Sequence, residues 1–242
     1  MAKQEALRIN KFLAECGIAS RRAAEELILS NKVKINGKPA NLGDKVVPGK
    51  DRVEVSGKRV ALRPKAHVYL MLNKPRGYVT TMSDEKGRKC VAQLVKDVKG
   101  RVFPIGRLDM LSEGLLLFTD DGEFANRLTH PRFHIGKTYK VVIKGELTDE
   151  DIVAFREGIE LDGEKTAPAD IHVGDVKEGR QTFHLTIFEG KNREIRRMCE
   201  ARGIEVLRLK REKMGNLSLG LLPCGKYRYL NEKDIKKIFA GE

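Results

Sequence analysis

Asp109 is the carboxylate whose surroundings in the sequence best suit chemistry. It lies in PIGRLDMLSEGLLLFTDDGE, residues 104–123, where the charged pair Arg107 and Asp109 sits between apolar Ile105 and the run Leu115-Leu116-Leu117-Phe118. Gly106 and Gly114 permit backbone bends on either side. The pattern puts a carboxylate on a loop anchored by a buried strand, a common location for a reacting group. An Asp in a loop is more often a turn or cap residue, so spacing alone leaves both readings open. With an ordinary pKa of about 3.9 the group is charged at neutral pH unless burial raises it, and a nearby guanidinium would oppose that rise.

Two further residues have an unusual setting. Tyr139 alternates with Val141 and Ile143, so the three side chains share one side of a strand. That fits a core aromatic as well as a ring facing a substrate. Arg196 falls on a helix expected over 193–202, beside the apolar face of Ile195, Met198 and Cys199. A half-buried arginine there needs an acidic or phosphate partner, whereas Arg193 and Arg197 suit a solvated face. Other patterns fail on inspection. Gly136-Lys137-Thr138 resembles the end of a P-loop, but Pro131 stands where that motif needs its first glycine. His130 and His134 have helical zinc-ligand spacing, but Pro131 interrupts the helix and no third ligand is near. No nucleophile elbow, dinucleotide fingerprint or flavin signature occurs, so neither a cofactor nor a metal is expected.

The elements that must carry these residues fall into two parts. Lys and Arg number 47 against 34 Asp and Glu, a net charge of +13, which favours a polyanionic partner. Residues 1–66 hold 15 basic and 7 acidic residues, and the rest of the chain 32 and 27. A concentrated basic module beside a nearly balanced body is implied. In the module, Ile9, Phe12, Leu13 and Cys16 form the stripe of a short helix ended by Gly17. Ser20 caps a second helix over 21–30, packed through Ala23, Ala24, Leu27 and Ile28. Val33 and Ile35 read as a strand, Asn36-Gly37 as a tight hairpin turn, and Val53 and Val55 as a further strand. Arg21 and Arg22 lie in the first turn of the second helix, where the macrodipole is already positive; a phosphate partner offsets that repulsion.

A polar linker, residues 63–67, precedes a strand at 68–72. Beyond it, strands at 138–144 and 182–188 and helices at 122–129, 149–157, 193–202 and 232–239 give an α+β domain over 68–242. Regular helical crossovers are missing, which argues against a doubly wound parallel sheet. Four cysteines without a C-x-x-C pair, no signal-peptide pattern and no apolar run of membrane length predict a cytoplasmic protein with reduced thiols and no membrane partner.

The run LRINKFLAECGIASRRAAEELILSNKVKINGKPA resembles the S4 RNA-binding domain, which implies recognition of structured RNA by residues 1–62, with Arg21, Arg22, Lys32 and Lys34 on phosphates. Gly106-Arg107-Leu108-Asp109, with Ser112-x-Gly114-Leu115-Leu116-Leu117 and Thr119-x-Asp121-Gly122, resembles the signature of the pseudouridine synthases that modify ribosomal RNA. Leu72-Asn73-Lys74-Pro75-Arg76-Gly77, Gly136-Lys137-Thr138-Tyr139 and Gly190-Lys191-Asn192-Arg193-Glu194-Ile195-Arg196-Arg197-Met198 resemble its other motifs in order. The resemblance implies a small S4 α/β module followed by a mixed, mostly antiparallel sheet with flanking helices. It implies Asp109, Tyr139 and Arg196 as the catalytic set: Asp109 attacking, Arg196 holding its charge and Tyr139 stacking on the flipped uracil. Arg107, Lys191, Arg193 and Arg197 become RNA contacts. Ser83-Asp84-Glu85-Lys86-Gly87-Arg88 and the Ser-Glu-Gly-Leu-Leu-Leu form after Asp109 are closer to members acting on large-subunit RNA, so a monomer acting on a uridine of 23S ribosomal RNA is expected. The competing expectations are the same reaction on 16S RNA and a non-catalytic S4 assembly factor; an S4-bearing tRNA synthetase would need an ATP signature that is missing. Charge reversal at Arg21 and Arg22 together is expected to weaken binding to ribosomal RNA and to flatten its dependence on salt by roughly two phosphate contacts, readable by filter binding from 50 to 200 mM salt. An unchanged salt slope would overturn the assignment of these two arginines.

Overall fold

The computed structural model describes residues 5–62 and 66–240. Residues 63–65 of the expected linker lie outside the described residues. The chain divides into two compact units, Met1–His67 and Val68–Glu242.

The first unit holds β1 (Leu7–Arg8), α1 (Ile9–Glu15), α2 (Arg21–Leu29), β2 (Val33–Ile35), β3 (Lys38–Pro39), β4 (Lys45–Val46), β5 (Val53–Val55) and β6 (Lys58–Val60). The apolar stripe of α1 buries Ile9, Phe12 and Leu13 against Ala24 and Ile28 of α2 and Val33, Val46 and Val53 of the strands. Each large side chain buried there contributes about 1.5–3 kcal/mol. Ser20 caps α2 by accepting the N–H of Ala23. Asn36 and Gly37, at φ of 51° and 83°, make the two-residue turn between β2 and β3. Arg21, Arg22, Lys32 and Lys34 are all exposed.

The second unit runs β7 (Tyr69–Lys74), β8 (Phe103–Ile105), β9 (Glu113–Thr119), α3 (Gly122–Thr129), β10 (Lys137–Lys144), α4 (Asp149–Glu157), β11 (Glu160–Leu161), β12 (Glu164–Lys165), β13 (Asp170–Lys177), β14 (Arg180–Ile187), α5 (Glu194–Ala201), β15 (Val206–Met214), β16 (Leu217–Ser218), β17 (Tyr227–Tyr229) and α6 (Glu232–Phe239). The main sheet has the order β13-β14-β10-β15-β9-β7-β17, with β16 beside β15 and β8 beside β9. The β15–β9 pair is parallel and the other pairs are antiparallel. It is a mixed, mostly antiparallel sheet with flanking helices.

β9 is buried along its whole length. Leu116 and Phe118 face one core, with Tyr139, Val141, Phe155 of α4 and Ile195, Met198 and Cys199 of α5. Leu115 and Leu117 face another, with Phe124 and Leu128 of α3 and Ile238 of α6. Both faces of its central part are therefore covered, which is why its sequence is a continuous apolar run rather than an alternating one.

Where β9 and β15 run parallel, Gly114 is paired with Arg211. Gly114 has φ of 103°, and a Cβ there would stand 2.2 Å from the carbonyl oxygen of Arg211. Backbone meets backbone at this crossing, so no side chain can yield. Gly114→Ala is expected to destabilise the second unit by about 2–4 kcal/mol, through a forbidden φ together with a backbone clash. Urea unfolding followed by circular dichroism measures this, and a loss under 1 kcal/mol would show that the two strands can part at no cost.

Candidate active site

One transverse row of the sheet collects the residues of interest. Lys74 on β7 is paired with Gly114 on β9, Gly114 with Arg211 on β15, and Arg211 with Tyr139 on β10. The Asp109 loop, joining β8 to β9, hangs from this row. Lys74 is fully buried, and its Nζ donates to the carbonyls of Pro75, Asp109 and Ser112 at 3.1, 3.0 and 2.8 Å. Three acceptors use all three protons of an ammonium group. Burial pulls its pKa down to about 8, with the charges of Asp109 and Glu113 opposing the fall, so the cation persists at neutral pH. The other side of the loop is held by Thr80, whose Oγ1 donates to the carbonyl of Leu108 at 2.6 Å.

Asp109 is half-exposed at the head of this loop. Arg196 lies within its field: burial and the neighbouring Arg193 disfavour the guanidinium charge, and Asp109 favours it. Nη2 of Arg196 donates to the carbonyl of Leu111 at 3.1 Å, which ties α5 to the same loop. Its Nε is buried and has no hydrogen-bond partner. The partner required of a half-buried Arg196 is thus a loop carbonyl plus the charge of Asp109, with one donor left over.

Tyr139 is 8% exposed and belongs to the apolar cluster under α5. Its hydroxyl accepts from Nη1 of Arg211 at 3.5 Å, and the guanidinium carbon stands 5.9 Å from the ring centroid. The core and site readings of Tyr139 are therefore compatible: the ring packs in the core while its polar end meets a buried cation. Arg211 itself is 3% exposed, anchored by Nε to the carbonyl of Leu115 at 2.7 Å, with Nη2 buried and unpartnered.

The remaining basic residues divide. Arg107 and Arg193 are exposed and make no ion pair among the described residues. Lys191 pairs with Glu164 at 3.3 Å and Glu189 at 3.8 Å, and Arg197 pairs with Asp162. No group of three His, Cys, Asp or Glu placed to hold a metal occurs among the described residues, and His130 instead accepts the N–H of Arg132 through its ring.

A family model for RNA pseudouridylate synthase matches residues 68–201 and spans Asp109, Tyr139 and Arg196. The chain belongs to the RNA pseudouridylate synthase family. The S4 domain model matches residues 7–53 of this pseudouridine synthase. It is 46% identical over 236 residues to ribosomal large subunit pseudouridine synthase B of Bacillus subtilis, covering 96% of each chain. It is 38% identical over 240 residues to the dual-specificity RNA pseudouridine synthase RluF of Escherichia coli, covering 99% of this chain and 80% of that one. A crystal structure of a pseudouridylate synthase superposes with a TM-score of 0.69 at 33% identity, covering 96% of this chain and 99% of that one.

Sequence reasoning missed Lys74 and Arg211 as site residues. Lys74 sits in a motif that the resemblance had singled out, yet a lysine beside a proline gives no sign of complete burial. Arg211 lies in the basic run RLKREKM of β15, where nothing distinguishes it from solvated neighbours. It also missed a carboxyl pair. Glu194, 4% exposed at the start of α5, accepts the N–H of Lys191 at 2.9 Å and lies close enough to Glu189 to be influenced by it. Burial first, then the hydrogen bond to Glu189, pushes the pKa of Glu194 up to about 7.

Folded protein therefore holds a proton that the unfolded chain loses above its ordinary value of 4.5. Stability from this group is full below that value and is lost as pH rises to about 7. Glu194→Gln, which keeps an acceptor and carries no charge, is expected to remove this part of the pH dependence. Between pH 5 and pH 8 the Tm of the wild type should fall more than that of the variant, by about 2–4 °C in scanning calorimetry. Parallel pH profiles for the two proteins would show that the pair shares no proton.

Proposed function

We propose that this enzyme converts a uridine of large-subunit, 23S ribosomal RNA to pseudouridine, with Asp109 as the catalytic carboxylate, Arg196 holding its charge and Tyr139 holding the base. The observation that carries the reading is the loop bearing Asp109, fixed from below by Lys74 and from α5 by Arg196 beside the Tyr139–Arg211 pair. Similarity over 96% of both chains to a relative named for the large ribosomal subunit supports the choice of RNA.

The reaction breaks the bond from uracil N1 to the ribose C1′, turns the base and joins C5 to C1′, after which the C5 proton leaves and N1 takes up a proton. Atoms and electrons balance without an oxidant or an energy source, so an ionised carboxylate and positioned cations suffice. The target base must leave its stack to reach Asp109. Attack on the ribose, addition to the base and formation of a glycal each use the same carboxylate. The charge of Asp109 favours the Arg196 guanidinium, and the buried, unpartnered Nε of Arg196 is a donor for that carboxylate or for a substrate phosphate. Arg211 acts through Tyr139 as a positioning residue.

RNA is gathered by Arg21, Arg22, Lys32 and Lys34 of the S4 unit and by Arg107, Lys191, Arg193 and Arg197 around the site. Such phosphate contacts supply affinity and register rather than sequence choice. A cytoplasmic setting is supported by four free cysteines, by the absence of any membrane-length apolar helix among the described residues, and by a ribosomal substrate.

Asp109→Asn is expected to lower pseudouridine formation at least about a thousandfold while leaving RNA affinity within about twofold. Carbodiimide mapping of 23S RNA from a deletion strain, complemented with each form, reads the modification and its position. Retained modification by the Asn variant would overturn the role of Asp109. An unaltered 23S map in the deletion strain would overturn the substrate.

A further inference from the structure

Residues 132–136 and Thr138, on the face of β10 opposite Tyr139, play no part in the site described above. They line a cleft of about 540 Å³. Its walls come from the turn at Pro131–Phe133, the start of β10, the residue following β14, the end of β15 and the end of α6. A volume of this size suits a small organic ligand.

The chemistry of the lining is specific. Two cations, Arg132 and Lys213, stand at the cleft and are exposed, and neither makes an ion pair among the described residues. No Asp or Glu lines it. Phe133 and Phe188 are both partly buried and supply aromatic surface, with the guanidinium of Arg132 already 4.5 Å from the Phe133 centroid. Thr138 and Asn216 add a hydroxyl paired with that of Thr186 and an amide whose nitrogen donates to the carbonyl of Ala240, leaving the amide oxygen of Asn216 as an acceptor. Aromatic faces, unpaired cations and a few neutral hydrogen-bonding groups are what an unstacked nucleotide needs: stacking for its base, charge for its phosphate and edge contacts without sequence stringency.

Location strengthens this. Thr138 lines the cleft and Tyr139 faces the opposite side of the sheet, so the two sites lie back to back at the start of β10. β14 ends at Ile187 in the core beside Tyr139, and the next residue, Phe188, enters the cleft. The chain then passes through Lys191 and Arg193 to α5 and Arg196. One basic loop therefore joins the cleft to the candidate active site around the end of the sheet.

We infer that this cleft is a second RNA subsite, which takes one unpaired nucleotide of the same ribosomal RNA strand whose target uridine enters at Asp109. The inference rests on the RNA substrate proposed above and adds to it a place where a non-reacting nucleotide is bound. Binding away from the chemistry selects a substrate with a flexible strand beside the target and raises affinity without touching the reacting atoms.

The test uses the full chain with a 23S RNA transcript and reads tritium released from C5-labelled uridine. Arg132→Glu with Lys213→Glu is expected to raise KM about tenfold or more, leave kcat within about twofold, and flatten the slope of log KM against log salt by about 1.4 for two single-strand phosphate contacts. Phe188→Leu keeps the apolar volume and removes the stacking face, and should raise KM about tenfold with no change in salt slope. Wild-type KM and salt slope in folded variants would overturn the subsite. A second readout does not depend on turnover: the same transcript carrying 4-thiouridine is photocrosslinked and the peptides are mapped. Crosslinks to residues 131–138 or 186–188 support the subsite, and crosslinks confined to other peptides overturn it. A wild-type enzyme that releases no tritium would overturn the substrate reading, while the crosslink map still decides the cleft.

Discussion

A single buried ammonium group organises this active site. Lys74 is among the largest fully buried side chains of the described residues, and its three protons go to three main-chain carbonyls, two of them in the loop that carries Asp109. Burying a charge costs several kcal/mol unless its hydrogen bonds are complete, and here they are. The constraint works in both directions. The loop needs Lys74 to satisfy carbonyls that have no strand partner, and Lys74 needs the loop as a solvation shell. Asp109 is thereby fixed at its main chain, while its carboxylate remains half-exposed and open to a substrate.

The transverse row Lys74–Gly114–Arg211–Tyr139 extends that constraint across the sheet. Its weakest point sterically is Gly114, where the parallel crossing leaves no room for a Cβ. Close approach there brings Arg211 within reach of the carbonyl of Leu115 on one side and the hydroxyl of Tyr139 on the other. Arg211 thus joins β9, which follows the Asp109 loop, to β10, which bears the aromatic ring. A lysine could supply the charge at that position but not two directed contacts from one planar head group.

Around Asp109 the cations outnumber the carboxylates. Lys74, Arg196 and Arg211 are close enough to influence the site, and they are not equally satisfied in hydrogen bonds. Lys74 is complete, whereas Arg196 and Arg211 each leave a buried nitrogen without a partner. An incomplete buried donor is costly in a resting protein and useful in an enzyme, because an anionic substrate can complete it. At the start of α5, burial and the neighbouring Glu189 raise the pKa of Glu194 and so favour its neutral form.

Much of this was legible in the chain itself. Helices at 122–129, 149–157 and 232–239 were readable because Asp121, Thr148 and Asn231 are strong caps placed before apolar residues of helical period. The first unit was readable because its signals are local: Ser20 as a cap, Asn36-Gly37 as a turn, and short stripes of period 3.6 and 2. Asp109, Tyr139 and Arg196 stood out through ordered motifs, which record spacing along the chain. What spacing cannot encode is the meeting of β7, β9, β15 and β10, segments up to about a hundred and forty residues apart, so the burial of Lys74 and the role of Arg211 were invisible. The cleft behind Tyr139 was equally hidden, since its lining comes from five separate segments. Local propensity and motif spacing determined the elements and the candidate site residues. Long-range strand pairing, whose contacts have no local signature, decided what holds those residues in place and what else the sheet presents to RNA.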